Sequence, residues 1–100
     1  MKVVVDEKTL EELAELFGAF SDVSRLRIIS TLIKKEMNVN SIAEAVGLTE
    51  SATSHQLRNL RQLKLVRKHK EGRQVFYMLD DEHIEGLYQF GLDHILHKRG

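Results

Sequence analysis

The last twenty residues of the chain contain three of its five histidines, His83, His94 and His97. On a helix these histidines share one face with Leu87 and Phe90, because the five residues follow steps of 4, 3, 4 and 3. At about 1.5 Å rise per residue, His83 and His94 lie roughly 16 Å apart, so one helix cannot offer both to one ion. A second, antiparallel copy would bring His83 of one chain beside His94 and His97 of the other. The spacing therefore predicts a two-fold dimer with two equivalent metal sites.

The amino-acid composition limits the fold classes and the kinds of site that the chain can contain. The chain has 100 residues, 42% hydrophobic and 30% charged, which fits one soluble domain spanning residues 1–100. The absence of proline and the presence of only six glycines favour helices. Without cysteine there are no disulfides, thiolate metal sites or cysteine nucleophiles. The start, MKVVVDEKTL, does not fit a signal peptide and no apolar run reaches membrane-spanning length, so we expect a cytoplasmic protein.

The net charge is zero, but the charges are unevenly distributed. Residues 51–76 contain seven basic side chains against one acid, Glu71. The basic residues are Arg58, Arg61, Lys64, Arg67, Lys68, Lys70 and Arg73. A local basic patch can attract a polyanion even on a neutral chain. The alternative is a solvated charged face, which is the usual interpretation of Lys/Arg clusters taken alone.

Two amphipathic helices are predicted in the first third of the chain. Apolar residues at steps of 3, 4 and 3 follow a capping box formed by Thr9 and Glu12, which predicts a helix over residues 9–20. Its apolar face could join the terminal helix in an interface. Ser21 or Asp22 is expected to cap a second helix over about residues 23–35.

The next segment predicts a helix-turn-helix. Asn40 or Ser41 caps a short helix ending before Gly47, and Thr49 caps a longer one reaching roughly Leu63. In this layout the second helix enters the major groove of DNA, where hydroxyl, imidazole and guanidinium groups contact bases or phosphates. The residues expected to do so are Glu50, Ser51, Thr53, Ser54, His55 and Arg58.

Two short strands are predicted after the helix-turn-helix, over residues 66–69 and 74–79, around a glycine-containing turn. Such a hairpin would act as a wing that places Lys70 and Arg73 against the DNA backbone or minor groove. Asp80 is expected to cap the terminal helix. The predicted fold is therefore mainly α with a β-hairpin, in the order α-α-α-α-β-β-α: a winged helix-turn-helix.

Three segments carry a family resemblance: DVSRLRIISTL, VNSIAEAVGLTESATSHQLRNLRQLKLV and KEGRQVFYMLDDEH. They resemble the ArsR/SmtB family of metal-sensing repressors, and the SHQL stretch at residues 54–57 is a strong mark of it. The resemblance covers about residues 10–97. It implies a homodimer formed through the first and last helices, in which the metal-free form binds operator DNA. Zinc binding then releases the DNA and allows transcription, often of metal-efflux genes.

The zinc-sensing pattern of the SmtB- and CzrA-like members is similar to Asp81-x-His83 followed by His94-x-x-His97. By this resemblance, each site takes Asp81 and His83 from one chain and His94 and His97 from the other. Three imidazoles and a carboxylate suit four-coordinate Zn(II), with Co(II) as a plausible mimic. Asp81 and His83 can converge only if Asp81 departs from regular helical geometry.

Other interpretations of these residues remain open. Acidic residues at a helix start and His97 at a helix end also follow from capping and the helix dipole. His55 and His69 are expected to face DNA or solvent rather than metal. The same fold could serve a dimeric regulator that senses Co, Ni, a non-metal cue or nothing. An enzyme such as a hydrolase is not expected, because no nucleophile motif accompanies the histidines and a fully ligated site leaves no position for water.

Overall fold

The computed structural model describes residues 5–99 and contains five helices and three strands within that range. The outermost residues of the predicted domain, 1–4 and 100, lie outside the described part. In chain order the elements are α1 Glu7–Ala19, α2 Val23–Thr31, β1 Met37–Asn38, α3 Val39–Val46, α4 Glu50–Gln62, β2 Val66–Glu71, β3 Gln74–Leu79 and α5 Glu82–Arg99. The winged helix-turn-helix prediction is confirmed, with one strand added to the expected order.

The first four helices each begin behind a side chain that caps a free backbone N–H. Asp22 accepts from the Arg25 N–H at 3.0 Å, and Thr49 accepts from the Ala52 N–H at 3.0 Å, as the sequence predicted. The other two caps lie earlier than expected. Asp6 caps α1 in place of Thr9, and Asn38 caps α3 in place of Asn40 or Ser41. In both cases a capping side chain of the preferred type stands three residues before a free N–H, which moves the helix start upstream.

The second helix ends four residues earlier than predicted. After Thr31 the chain makes tighter turns, and the Leu32 N–H is shared between the carbonyls of Ile28 and Ile29. Lys34 then adopts a left-handed conformation with φ of 55°, which a continuing helix cannot accommodate. The reversal directs the chain into β1.

The wing is a three-stranded sheet rather than a simple hairpin. The strand order is β1-β3-β2, and both pairings are antiparallel. β2 also runs two residues further than predicted, so that Glu71 opposes Gln74 and only Gly72 and Arg73 form the turn. Gly72 has φ of 63°, which suits the first central position of a two-residue hairpin turn.

The start of the terminal helix corrects the prediction for Asp80. Its backbone N–H donates to the Leu65 carbonyl at 2.9 Å, which continues the β2–β3 pairing beyond Leu79. Asp81 follows, and its carboxylate accepts a hydrogen bond from the His83 N–H at 2.9 Å. Asp81, not Asp80, therefore caps a free N–H at the entrance to α5.

The core lies where α2, α3 and α4 meet the base of the sheet. Ile28, Ile29, Ile42, Leu57 and Leu60 are completely buried there. Leu65 and Val66 extend the core into the first residues of the wing, and Ile84 attaches the beginning of α5. The helix that would read DNA is therefore held from behind by the core.

Much of α1 and α5 is left outside this core. Phe17 is 52% exposed and Phe90 is 80% exposed, although both are large and apolar. Further exposed apolar side chains on the two helices are Leu10, Leu13, Ile95 and Leu96. A concentration of this kind marks an interaction surface rather than a solvated one.

Candidate nucleic-acid interface and metal centre

The helix-turn-helix has a sharply defined turn. α3 ends at Gly47, which adopts φ of 74°, and the Gly47 and Leu48 N–H groups both donate to the Ala43 carbonyl. The half-buried Leu48 packs against the core, and Thr49 starts α4 at once. The turn fixes the angle between α3 and α4, and so orients α4 relative to the domain.

The side chains predicted to contact DNA do not all lie on one surface of α4. Glu50, Ser51, His55 and Arg58 are exposed, and Ser54 is half-buried. Thr53 is completely buried, and its hydroxyl donates to the Thr49 carbonyl at 2.8 Å. The prediction that Thr53 contacts DNA is corrected: its position on the helix points into the core, where the hydroxyl is satisfied by the backbone.

The wing presents its basic residues close to the turn. Lys70 lies one residue before the end of β2 and Arg73 occupies the turn itself, and both are exposed. Their charges are thus available to a polyanion beside α4. Basic groups on the wing would contact a DNA duplex at a distance from the contacts made by α4.

Sequence reasoning missed one contact behind α4. The Arg25 Nε on α2 lies 3.4 Å from the Gln56 Oε1, and the two residues are 31 positions apart in the chain. Gln56 is half-buried, so the contact joins α2 to the inner side of the DNA-facing helix. No local motif signals a pairing over this separation.

At the start of α5 the structure brings two of the four predicted metal ligands together. The Nδ1 of His83 lies 3.3 Å from the Oδ1 of Asp81, and both side chains are exposed. Partial desolvation acts to raise the pKa of Asp81, but the hydrogen bond from the His83 N–H and the adjacent imidazole lower it below its usual 3.8. Asp81 is therefore an ionised, accessible carboxylate at neutral pH.

The other two predicted ligands, His94 and His97, are exposed on the far half of α5. Eleven residues of helix separate His94 from His83, or roughly 16 Å along the axis. Within residues 5–99 of one chain, the four groups therefore form two separate pairs. Between α1, α2 and α5 lies an open groove of about 1060 Å³, lined by Phe17, Phe20, Leu87, Phe90 and His94 among others.

Comparison with known proteins places the chain in a family. Residues 22–68 match the model of the bacterial regulatory proteins of the arsR family. The chain is 37% identical over 93 residues to the HTH-type transcriptional regulator NmtR of Mycobacterium tuberculosis, covering 93% of this chain and 78% of NmtR. The chain belongs to the ArsR family of bacterial regulatory proteins.

Other relatives extend this result. A transcriptional repressor SmtB homolog from Synechocystis is 45% identical over 85 residues, which cover 85% of this chain but 64% of the relative's length. The cadmium resistance regulatory protein CadC homolog of Staphylococcus aureus is 35% identical over 79 residues, covering 78% of this chain and 65% of the relative. This chain thus spans slightly less than two thirds of either relative.

A solved structure supports the fold of this ArsR-family chain. It is the homodimeric winged helix-turn-helix DNA-binding domain of a Mycobacterium bovis protein, with a TM-score of 0.78 and 27% identity. The alignment covers 98% of this chain and 91% of that one. The family consists of regulators, in agreement with the prediction that the chain is not an enzyme. No helix within residues 5–99 is long and apolar enough to cross a membrane.

The donor atoms at the start of α5 fit a zinc ion. Two ligands bound at about 2.0–2.1 Å to a tetrahedral ion lie roughly 3.3 Å from each other, which is the separation between Asp81 Oδ1 and His83 Nδ1. Asp81 achieves this position because it stands just outside the helix. Asp81 therefore departs from regular helical geometry, as its convergence with His83 requires. Bringing these two residues together with His94 and His97 requires a second chain.

Proposed function

We propose that this ArsR-family chain is a zinc-responsive transcriptional repressor that binds operator DNA as a homodimer and releases it when zinc binds. The observation that carries the metal-sensing part is the 3.3 Å approach of Asp81, which stands just outside α5, to His83 in the first turn of α5. The relatives named as transcriptional repressors or regulators support the regulatory part. The regulated genes would be those of metal homeostasis, such as efflux genes.

DNA binding is assigned to the exposed side of α4 and to the wing. Ser51, Ser54 and His55 can donate to base edges or phosphates, while Arg58, Lys70 and Arg73 can neutralise phosphates. Glu50 lies in the first turn of α4, where its carboxylate can accept from a cytosine amino group. Thr53 is left out of this set because it is buried.

The homodimer is assigned to the exposed apolar faces of α1 and α5. Leaving Phe17 and Phe90 in water is unfavourable, and a second copy would cover both around a two-fold axis. The homodimeric Mycobacterium bovis domain, with a TM-score of 0.78, supports a homodimer. Because the groove beside α5 includes His94, the same contact would carry this residue toward the partner.

In the dimer, Asp81 and His83 of one protomer would hold the ion together with His94 and His97 of the other. Zinc would supply a cross-link between the two α5 helices, with no requirement for redox chemistry. Co(II) can occupy the same nitrogen and oxygen ligands. Thiolate ligands, which soft metal ions prefer, are absent from the sequence.

A short path connects Asp81 to the DNA-reading helix. The neighbouring Asp80 N–H donates to the Leu65 carbonyl, and the Leu65 N–H donates to the Leu60 carbonyl inside α4, each at 2.9 Å. A second connection runs through α2, where the Ser30 hydroxyl lies 3.0 Å from the Tyr88 hydroxyl of α5. Movement of α5 on metal binding would thus act on α4 from two sides. A coupling of about 1–3 kcal/mol lowers DNA affinity roughly 5- to 150-fold.

A second candidate is a dimeric regulator of the same fold that senses Co, Ni, a non-metal cue or nothing. The names of the relatives support this second candidate, because one is named for cadmium resistance and others only as regulators. In this case Asp81 would only cap the His83 N–H at the start of α5, and neither side chain would bind a metal ion.

Operator binding titrated with Zn(II), Co(II) and Ni(II) separates the two candidates. The operator fragment is first selected from random duplex DNA with the metal-free protein, and metal stoichiometry is measured in parallel. A zinc repressor should lose affinity for DNA as zinc occupies the α5 sites. If none of the three ions changes DNA affinity although the protein binds DNA tightly, the metal-sensing proposal is wrong.

A further inference from the structure

A second group of metal-ligating side chains lies on the wing, away from α5. Glu36 immediately precedes β1, and His69 and Glu71 lie two residues apart on β2. Within the sheet, His69 opposes Phe76, and Phe76 also opposes Asn38. Opposed residues and alternate residues share a face, so the strands present His69 and Glu71 on the same side as Asn38.

The ligand atoms of this group converge. One nitrogen or oxygen from each of Glu36, His69 and Glu71 lies within 4.8 Å of the others. The His69 Nε2 is 3.0 Å from the Glu36 Oε1, close to the separation expected of two ligands on one ion. The flexible Glu side chains can rotate to bring the ligand atoms from separations of up to 4.8 Å to the closer spacing that ligands of one ion require.

The surrounding contacts hold the group in place. The His69 ring stacks on Phe76 with centroids 5.8 Å apart and an interplanar angle of 25°. Across the sheet, the Asn38 Nδ2 donates to the Gln74 Oε1 at 2.8 Å. The imidazole is therefore oriented by packing, and β1 is tied to the start of β3, before any ion binds.

Two carboxylates meet here within the most basic part of the chain. Glu71 is the single acid among residues 51–76, yet no Lys or Arg within residues 5–99 forms an ion pair with Glu36 or Glu71. One oxygen of each carboxylate lies within 4.8 Å of the other and of a ring nitrogen of His69. Like charges brought together in this way repel unless a cation or a proton lies between them.

We propose that Glu36, His69 and Glu71 form a second divalent transition-metal site, held within one chain at the side of the wing. One nitrogen and two carboxylate oxygens suit Zn(II), Co(II) or Mn(II), with water at the remaining positions because both Glu36 and His69 are over 40% exposed. This proposal differs from the expectation that His69 faces DNA or solvent rather than metal. A bound cation would neutralise the two carboxylates beside Lys70 and strengthen the attraction of the wing to phosphate. This effect would oppose that of zinc at the α5 site, which is proposed to release DNA.

Zinc stoichiometry in matched variants of the full chain tests this proposal. Wild type should bind two ions per protomer, and His69→Phe, which keeps a ring on Phe76, should bind one. Glu36→Gln should weaken the second ion by about tenfold or more. His55→Phe and Glu44→Gln change exposed residues outside the group and should leave metal binding at the wild-type level.

A variant lacking His94 and His97 separates this proposal from the zinc-repressor proposal. In that background one ion should remain and disappear with His69→Phe. Added Mn(II) should broaden the NMR signals of Glu36, His69 and Glu71 before those of α5. If His69→Phe and Glu36→Gln bind as many ions as wild type, or Mn(II) leaves the wing signals sharp, the proposal is overturned.

Discussion

Three consecutive residues of α4, Thr53, Ser54 and His55, have different surroundings. Thr53 is buried and bonded to the backbone, Ser54 is half-buried, and His55 is exposed. A residue type that suits DNA contact therefore does not decide its role. The position on the helix relative to Leu57 and Leu60 decides which side chains reach a ligand.

Replacing Ser54 and His55 with alanine should weaken operator binding by roughly tenfold or more, because two groups able to contact DNA are removed. Zinc affinity of the free protein should stay nearly unchanged, since neither residue is one of the proposed zinc ligands. Fluorescence anisotropy with a labelled operator and a zinc-competition assay measure the two quantities. Unchanged DNA affinity would show that the exposed side of α4 does not carry the contacts.

Asp81→Asn isolates the charge of the proposed carboxylate ligand. The amide oxygen can still accept from the His83 N–H, so α5 should keep its start, but zinc affinity should fall about 10- to 100-fold. Competition with a chromophoric chelator measures the change, and circular dichroism checks the helix. Asp80→Asn is the matched control, because Asp80 contributes its backbone rather than its side chain to the fold. Equal losses in both variants would contradict a ligand role for Asp81.

The zinc affinity of wild type should fall with acidification, and the sign follows from the ligands. Binding requires neutral imidazoles, so protons compete with zinc as the pH drops. Asp81 adds little to this loss above its usual pKa of 3.8, because its pKa is lowered in the folded chain and it remains ionised. Calorimetry at pH 7.5 and pH 5.5 should show weaker binding at the lower pH. Stronger binding at pH 5.5 would exclude histidine ligation.

At the scale of elements, the best predictions came from residues with one structural role. Gly47 and Thr49 mark the turn and the start of α4 because a left-handed residue and a capping hydroxyl are needed there. The convergence of Asp81 and His83 was also recognised as requiring a non-helical Asp81. These features depend on neighbours within four positions, which the sequence makes visible.

The features that were missed depend on distant partners. β1 has two residues, too few for any periodicity, and exists because Met37 and Asn38 pair with Tyr77 and Phe76. Asp80 was expected to cap α5, but pairing with Leu65 keeps its backbone in the sheet for one more residue. Glu36 meets His69 only because β3 pairs with β1 along one edge and with β2 along the other, which brings the two residues to one face of the sheet. Such pairings follow from the assembled fold and have no local signal.

Thr49→Ala tests the element that presents the DNA-binding surface. Removing the hydroxyl leaves the Ala52 N–H without its cap and should lower the free energy of unfolding by about 1 kcal/mol. Thr49→Ser keeps the oxygen and should recover most of that stability. Urea unfolding followed by circular dichroism provides the measurement. If alanine and serine variants are equally stable, the cap contributes nothing to α4.

For the whole molecule, the main question is what covers α1 and α5. Phe90→Glu places a charge at the most exposed large apolar residue and should convert a dimer into monomers, because an unpaired carboxylate would be buried at the interface. Asn40→Glu adds the same charge on α3 and should leave the dimer intact. Sedimentation velocity distinguishes the two states. A Phe90→Glu protein that remains dimeric would place the interface elsewhere.

The proposed α5 metal site depends on the dimer, because one chain separates His83 from His94 by most of a helix. Phe90→Glu should therefore also weaken zinc binding at α5, although none of the four proposed ligands is changed. The proposed wing site lies within one chain and should keep its ion. The two sites thus respond differently to loss of the dimer.

The most direct test of the zinc-repressor account is operator binding by the variant His94→Ala/His97→Ala, with and without zinc. Both residues are exposed on α5 and neither belongs to the surface of α4 and the wing proposed to contact DNA, so the metal-free variant should bind the operator as tightly as wild type. Zinc should release wild-type protein from DNA and leave the variant bound. If zinc releases the variant as readily as wild type, the α5 histidines do not carry the response and the account is wrong.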